Sequence, residues 1–468
     1  MRTTPPSPSA GGRLTPSNSP SALASALTRA LTSAFVGSML LALPGLAAAQ
    51  NLQSLYEAAR AYDATYLAAR ALANSAQFRA EQAEALLRPS AALTATAGTS
   101  QTDLPGAGMN AKGTHSVSGT LNGRYPLFNS VNKATVEQAR KGLISAQADL
   151  ESSEQDLIVR VAQGYFDVLG AQDALAATRA NKTAITEQLA SAKRSFEVGT
   201  ATITDTREAQ AKFDLATAQE IAAENDLRTK RIALDTLVGN NNVAPRPLKV
   251  PVVLPSPLPA NPEEWVTVAD QAHPSVRRAR IGLDVALLES TKARASGLPT
   301  VDAVAALTGS DARGSLPTLS RSAGTATVAS VGVQMNWTLF NGGATQNRIK
   351  ETLSLEEKSR NDLEAARRGV AQSTRVAFFG VQSGLAQVKA LEAAESSSKL
   401  ALEATQLGYK VGVRVNLDVL NAQTQLFSTQ RDLAKARYDV LVGSLRLRQA
   451  SGQLTPADVQ AINQLLAP

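Results

Sequence analysis

Two hydrophobic periods alternate along this chain. Over TATVASVGVQMNWTLF, Ala329, Val331, Val333, Met335, Trp337 and Leu339 fall on one face, and Ser330, Gly332, Gln334, Asn336 and Thr338 on the other. Period two predicts a strand. Earlier in the chain Val117, Gly119, Leu121, Tyr125 and Leu127 alternate in the same way with Ser116, Ser118, Thr120, Asn122 and Arg124. Further on the period changes. Val419, Leu426, Leu433, Val440 and Leu447 recur every seven residues, each followed three positions later by a smaller residue: Ala422, Thr429, Ala436, Gly443 and Ala450. Such a heptad predicts a long helix packed closely on its neighbours, knobs into holes. The seam is narrow and the rest of the surface polar, which suits a wall with water on both sides.

Proline maps the organisation. Residues 127–244 and 318–455 contain none, whereas seven are packed into NNNVAPRPLKVPVVLPSPLPANP at 240–262. Two halves joined by a stiff linker follow. LFN at 127–129 recurs at 339–341, and Phe166 falls on Phe378 and Tyr125 on Trp337 at the same offset of 212. FEVGTATITDTREAQ (196–210) and YKVGVRVNLDVLNAQ (409–423) match at an offset of 213, which pairs Val198 with Val411, Gly199 with Gly412 and Asp205 with Asp418. A repeat this long reads as a duplicated domain.

The expected boundaries are a first repeat over 50–239, a linker over 240–262, a second repeat over 263–455 and a tail over 456–468. Each repeat runs helix (52–87, 264–297), strand pair (about 90–128, about 299–340) and helical hairpin (about 132–239, about 344–452). An unbroken helix over 132–197 would be about 100 Å long.

An apolar-out, polar-in ribbon with an aromatic near one end is what a transmembrane β-barrel strand requires, and about 9–11 residues suffice to cross. The alternative is the edge of an ordinary sheet. Four strands cannot close a membrane barrel, whose smallest examples have about eight, and an open edge in lipid leaves backbone groups unsatisfied. Several chains must then share one barrel; a dimer would supply eight strands and a trimer twelve.

Composition narrows the function. Residues 1–49 read as an export signal: Arg2, Arg13 and Arg29 without an acidic residue, the apolar run AFVGSMLLAL, then Ala47-Ala48-Ala49 before Gln50. Its removal lowers the formal charge from +7 to +4, too little to argue for nucleic acid. The chain has no Cys, which excludes disulfides, thiolate metal sites, a Cys nucleophile and acylation of a mature N-terminal Cys. Its two His, His115 and His273, share no metal-ligand spacing, and neither a phosphate loop nor a nucleophile elbow is present. No catalytic residue, metal site or cofactor is expected, so a partner must supply the energy for any transport.

The repeated turns carry the remaining chemistry. Gly199 and Gly412 supply the permissive backbone on which a helix can stop. Asp205 followed by Glu208 fits a capping box that starts the returning helix; Asp418 followed by Asn421 makes a poorer one.

The order of export signal and tandem halves of helix, two strands and long hairpin, with VGTATITD and YKVGVRVNLDVLNAQ at the turns, resembles the TolC family of outer-membrane efflux and secretion channels, from about residue 51 to 455. The resemblance implies a mixed α and β membrane protein: a homotrimer sharing a twelve-stranded barrel in outer-membrane lipid, continued by a periplasmic α-helical barrel. It implies that Val198, Gly199, Val411 and Gly412 lie at periplasmic tips where an adaptor (membrane fusion protein) and an inner-membrane ABC or proton-driven transporter dock. It further implies that Asp418 forms a three-carboxylate ring at the narrowest point, that Tyr409 and Arg414 close the tip through bonds to Asp205 and Thr204, and that Tyr125 and Trp337 lie at the membrane interface. Asn421 departs from the family, in which a second acidic residue often follows one turn on; a single acidic ring is expected. The functions in view are type I protein secretion, efflux of small molecules, or both. The competing reading from another class is a periplasmic coiled-coil adaptor, which would carry one hairpin rather than two and lipoyl-like β segments beside it.

Overall fold

A computed structural model of the chain describes residues 51–104, 109–249, 251–314 and 324–467. The export-signal reading over 1–49 and the connections within both strand pairs lie outside the described residues.

In the first repeat α1 (Leu52–Tyr62) and α2 (Ala64–Glu84) lead to strands β1 (Ser90–Leu104) and β2 (Met109–Phe128), and then to α3 (Ser130–Glu197) and α4 (Ile203–Val238). The second repeat follows the same order with α5 (Pro262–Ala272), α6 (Pro274–Ala295), β3 (Thr300–Gly314), β4 (Gly324–Asn336), α7 (Ala344–Lys410) and α8 (Asn416–Ala450). At 68 and 67 residues, α3 and α7 are each about 100 Å long.

The expected helices over 52–87 and 264–297 are each interrupted. Asp63 leaves the helical region and its carboxylate accepts from the Tyr66 amide at 2.8 Å, which ends α1 and starts α2. Arg160 of α3 grips the same carboxylate with both guanidinium nitrogens, at 2.9 and 3.0 Å, and that charge-assisted fork holds Asp63 well below the usual carboxylate range. In the second repeat His273 does the corresponding work: its Nδ1 accepts from the Ser275 amide at 3.1 Å, and Pro274 opens α6. Burial, helped by the positive charge of Arg278, pushes the His273 pKa down, in keeping with an unprotonated acceptor nitrogen.

The four strands form one antiparallel sheet in the order β1-β2-β3-β4. The register aligns Leu93, Leu121, Leu307 and Ala329 in one row and Ala91, Gly123, Ala305 and Val331 in another. One face is therefore apolar and open; Val331 is 89% exposed. The opposite face is polar and hydrogen-bonded across the strands: Thr96 with Ser118 at 2.7 Å, Thr120 with Thr308 at 3.1 Å, and Arg124 donating to the buried Asp302 at 2.6 Å. Pro126, which has no N–H to give the ladder, sits where the β2–β3 register shifts before Phe128.

Trp337 and Leu339, placed in a strand by their period, lie beyond the end of β4. The Trp337 indole donates to the Gly297 carbonyl at 3.1 Å, and Gly342 and Gly343, at φ 64° and 83°, turn the chain into α7. Tyr125 stands opposite Ala303, which faces Val333, so Tyr125 and Trp337 do not share a row.

The thickest core lies midway along the helices. Leu52, Leu55 and Tyr56 of α1 meet Tyr165, Phe166 and Leu169 of α3, Leu234 of α4, and Leu441 and Leu445 of α8. Phe166 stacks on Tyr438 at 5.6 Å between ring centres, and its repeat partner Phe378 is buried in a second cluster with Trp265, Val381 and Leu447. Tyr165 anchors the proline-rich linker: its hydroxyl donates to the Arg246 carbonyl at 2.9 Å and accepts from the Arg246 amide at 2.8 Å. Residues 456–468, expected as a tail, instead hold α9 (Pro456–Asn463), which starts from a Thr455–Asp458 capping box and buries Val459 and Ile462 in the main core.

The heptad of α8 packs as expected, with Val419, Leu426, Leu433, Val440 and Leu447 all buried. It meets α7 through a reciprocal pair: Val440 covers Gly384, and Val381 covers Gly443. A Cβ added at Gly384 would lie 2.8 Å from a Val440 methyl, and Val has no spare rotamer in a helix with which to yield. Gly384→Leu is expected to cost about 1–3 kcal/mol by forcing the helices apart. The thermal transition of the detergent-purified protein, compared with Gly380→Leu where nothing lies within 4 Å of an added Cβ, checks this.

Candidate functional site: the hairpin tips

Both long hairpins turn by the same backbone device. Gly199 and Gly412 adopt φ of 78° and 81°, the left-handed region that a side chain disfavours. Behind them the Thr200 amide donates to the Ser195 carbonyl at 2.8 Å, and the Val413 amide to the Gly408 carbonyl at 2.9 Å. The returning helices then start from Thr202 and Val415, whose extended backbones nearly coincide (φ −88°, ψ 160° and φ −96°, ψ 161°).

The side chains at those two positions make the tips different. The Thr202 hydroxyl accepts from the Asp205 amide at 3.2 Å, and the Asp205 carboxylate accepts from the Thr202 amide at 2.9 Å and its hydroxyl at 2.8 Å. Asp205 is thus the third helical residue of a Thr202–Asp205 capping box, not the cap paired with Glu208 that the sequence suggested. Thr202, three residues before the expected cap, fits the Thr-x-x-acid pattern better because its hydroxyl reaches the amide three residues on. Val415, at the matching place, has no hydroxyl and leaves α8 without a side-chain cap. The Asp418 carboxylate is consequently free of any cap and lies 3.6 Å from Arg414 of its own tip, with both side chains partly exposed.

Within one chain, among the described residues, no hydrogen bond joins Tyr409 or Arg414 to Thr204 or Asp205. Arg414 instead lays its aliphatic stem over Gly408, where an added Cβ would come within 2.8 Å of it. Thr204 is exposed and Tyr409 half-buried.

The apolar content of the tips goes beyond Val198 and Val411, the two valines that the resemblance places there. Val198, Val411 and Val413 are between 65% and 75% exposed, and Ile203 and Val415 are also exposed. Apolar side chains concentrated on a projecting turn mark a surface that meets another protein. Behind them a small cluster of Ile185, Leu189 and Ala192 of α3, Ala209 and Ala216 of α4, and Leu420 of α8 joins the two hairpins. Polar contacts flank it: Gln188 donates to Asn416, and Lys212 donates to Asn421 at 3.1 Å. Among the described residues no group of three His, Cys, Asp or Glu could hold a metal, and no helix is long and apolar enough to cross a membrane.

Loss of a threonine cap costs about 1 kcal/mol. Thr202→Val is therefore expected to speed hydrogen exchange of the first-turn amides of α4 about fivefold, and Val415→Thr to slow those of α8 by a similar factor. Exchange measured by mass spectrometry on peptides spanning both tips reads each change.

Comparison with known proteins agrees with this architecture. The family model described as outer membrane efflux protein matches residues 55–240 and 265–453, one segment per repeat. The chain is 31% identical over 430 residues to the outer membrane protein TolC of Vibrio cholerae, covering 92% of this chain and 97% of that one. It is 35% identical over 354 residues to the alkaline protease secretion protein AprF of Pseudomonas aeruginosa, covering 73% and 71%. The crystal structure of the Campylobacter jejuni CmeC outer membrane channel superposes with a TM-score of 0.75 at 16% identity, covering 89% of this chain and 90% of that one; this likeness is one of fold, a β-barrel continued by an α-helical barrel. With both repeats matched and a relative above 30% identity covered almost end to end, the chain belongs to the outer membrane efflux protein family.

Proposed function

We propose that three copies of this outer-membrane chain form a passive exit duct that serves type I protein secretion, efflux of small molecules, or both. The observation that carries the reading is the union, in one chain, of an open four-stranded sheet with an apolar face and two hairpins of about 100 Å that end in exposed valines. The sheet cannot close alone in lipid, and helices of that length suit a channel through the periplasm better than a globular core. Likeness to a protease secretion protein supports protein cargo; the efflux family model supports small molecules. The adaptor reading loses support, because the chain has two long hairpins and its strands form one apolar-faced sheet.

The exposed Val198 and Val411, with Gly199 and Gly412 behind them, form the surface on which a periplasmic adaptor and an inner-membrane transporter dock. Tyr125 and Trp337 lie at the membrane interface. Asp418, uncapped and partly exposed, contributes one carboxylate per chain to a ring at the narrowest point, where three like charges attract multivalent cations. With Asn421 one turn on, the ring is single. Tyr409 and Arg414 hold the resting tip closed against Thr204 and Asp205 of the first hairpin.

Three measurements test this. A deletion strain should lose a secreted protein, become sensitive to small toxic compounds, or both; a strain altered in neither would refute the duct. In planar bilayers, Asp418→Ala should relieve block by a trivalent cation by about tenfold or more, and unchanged block would remove Asp418 from the constriction. Arg414→Ser should raise single-channel conductance; an unaltered conductance would count against the latch.

A further inference from the structure

We infer that Lys212 offsets the negative charge of the tip constriction and so sets its selectivity, making the mouth of the duct permissive to acidic cargo. This rests on the reading above that Asp418 lines the constriction.

Lys212 belongs to the first hairpin and Asp418 to the second. The Lys212 ammonium crosses from α4 to α8 and donates to the Asn421 side-chain carbonyl at 3.1 Å. Asn421 follows Asp418 by three residues on the same helix, so the two share a face with Cβ atoms about 5–6 Å apart. That places the ammonium within about one Debye length of the Asp418 carboxylate. Arg414, in the turn before α8, lies 3.6 Å from the same carboxylate, so one cation reaches the neighbourhood of Asp418 from the turn and the other from α4.

The choice of partner matters. Glu208 stands four residues before Lys212 in α4, the spacing at which a helical ion pair forms. Among the described residues, however, no ion pair joins them, and the ammonium reaches across to an amide. The other acidic groups on this stretch of α4 are engaged elsewhere: Asp205 in the capping box, Asp214 by the Gln210 amide at 3.0 Å. An amide fixes the position of an ammonium without cancelling its charge. Had residue 421 been acidic, the same contact would have been a salt bridge with no net charge, and the Asp418 ring would have kept its full negative potential. Asn421 therefore does more than remove a second carboxylate: it holds a cation where that carboxylate would have been.

The test uses the full-length purified protein in planar bilayers, with cation-to-anion permeability read from reversal potentials in a potassium chloride gradient and block measured with hexaamminecobalt(III). Lys212→Met keeps the length and apolar character of the stem and removes the charge. It should shift the reversal potential toward cation selectivity and tighten block about tenfold, whereas Lys212→Arg should leave both near those of the unaltered chain. In an Asp418→Ala background the effect of Lys212→Met on block should vanish. Channels of normal conductance whose selectivity and block do not respond to Lys212→Met, but do respond to Asp418→Ala, would overturn the role of Lys212 and leave the constriction reading standing. Channels that respond to neither would overturn both. Hydrogen exchange over α4 and α8 separates charge from folding: an altered selectivity accompanied by lost protection at the tip would overturn the electrostatic role.

Discussion

A β-sheet edge cannot face hydrocarbon, because the bilayer offers no water to an unpaired amide or carbonyl, and this sheet has two such edges, β1 and β4. Every residue of β4 is exposed in the single chain, and Val331, Val333 and Met335 offer a membrane-facing stripe directly beside unpaired backbone. Closure by further copies is the only arrangement that satisfies both the apolar face and the edges. The same requirement passes down into the helices. Because β2 runs into α3 after one residue and β4 into α7 after seven, closing the barrel brings the long helices of neighbouring copies together as well. Apolar side chains left open on them, such as Leu215, Ile221 and Ile232 of α4 and Val376, Phe379 and Leu400 of α7, are then available to pack between copies.

Most of this architecture was legible because it depends on period. A heptad of large and small residues can be counted, and burial of Val419, Leu426, Leu433, Val440 and Leu447 follows from it. What period could not supply was where side chains interrupt it. The break at Asp63 has no proline to announce it and depends on Arg160, nearly a hundred residues away, to pair the buried carboxylate at the turn. Residues 456–468 look short and polar enough to be a tail, yet Val459, Ile462 and Leu466 complete a core begun by Leu52 and Leu55 at the other end of the described chain.

The candidate site was legible in outline only. Gly199 and Gly412 announced the turns, since a left-handed residue is hard to supply otherwise. Thr202 and Asp205 compete for one role: both are good capping residues for a helix, and only the backbone, extended at Thr202, decides between them. Lys212 carried no local signal at all. Its partner is 209 residues away in sequence, and its obvious helical partner, Glu208, misdirects.

Duplication gave the two tips the same backbone, and the substitution of valine for threonine at one position separates their behaviour. The Thr202 box satisfies amides that every helix start leaves open and fixes the Asp205 carboxylate in the process. At Val415 no side chain meets those amides, although the Asp418 amide donates to the Val415 carbonyl at 3.1 Å, and the Asp418 carboxylate is left to Arg414, 3.6 Å away. A first turn without a cap opens at lower free energy than one with it. Within each chain the second hairpin is thus the more readily loosened of the two, and it is also the one that carries Asp418, Arg414 and Tyr409. In the gate proposed above, that asymmetry places the weaker helix start next to the groups on which release would act.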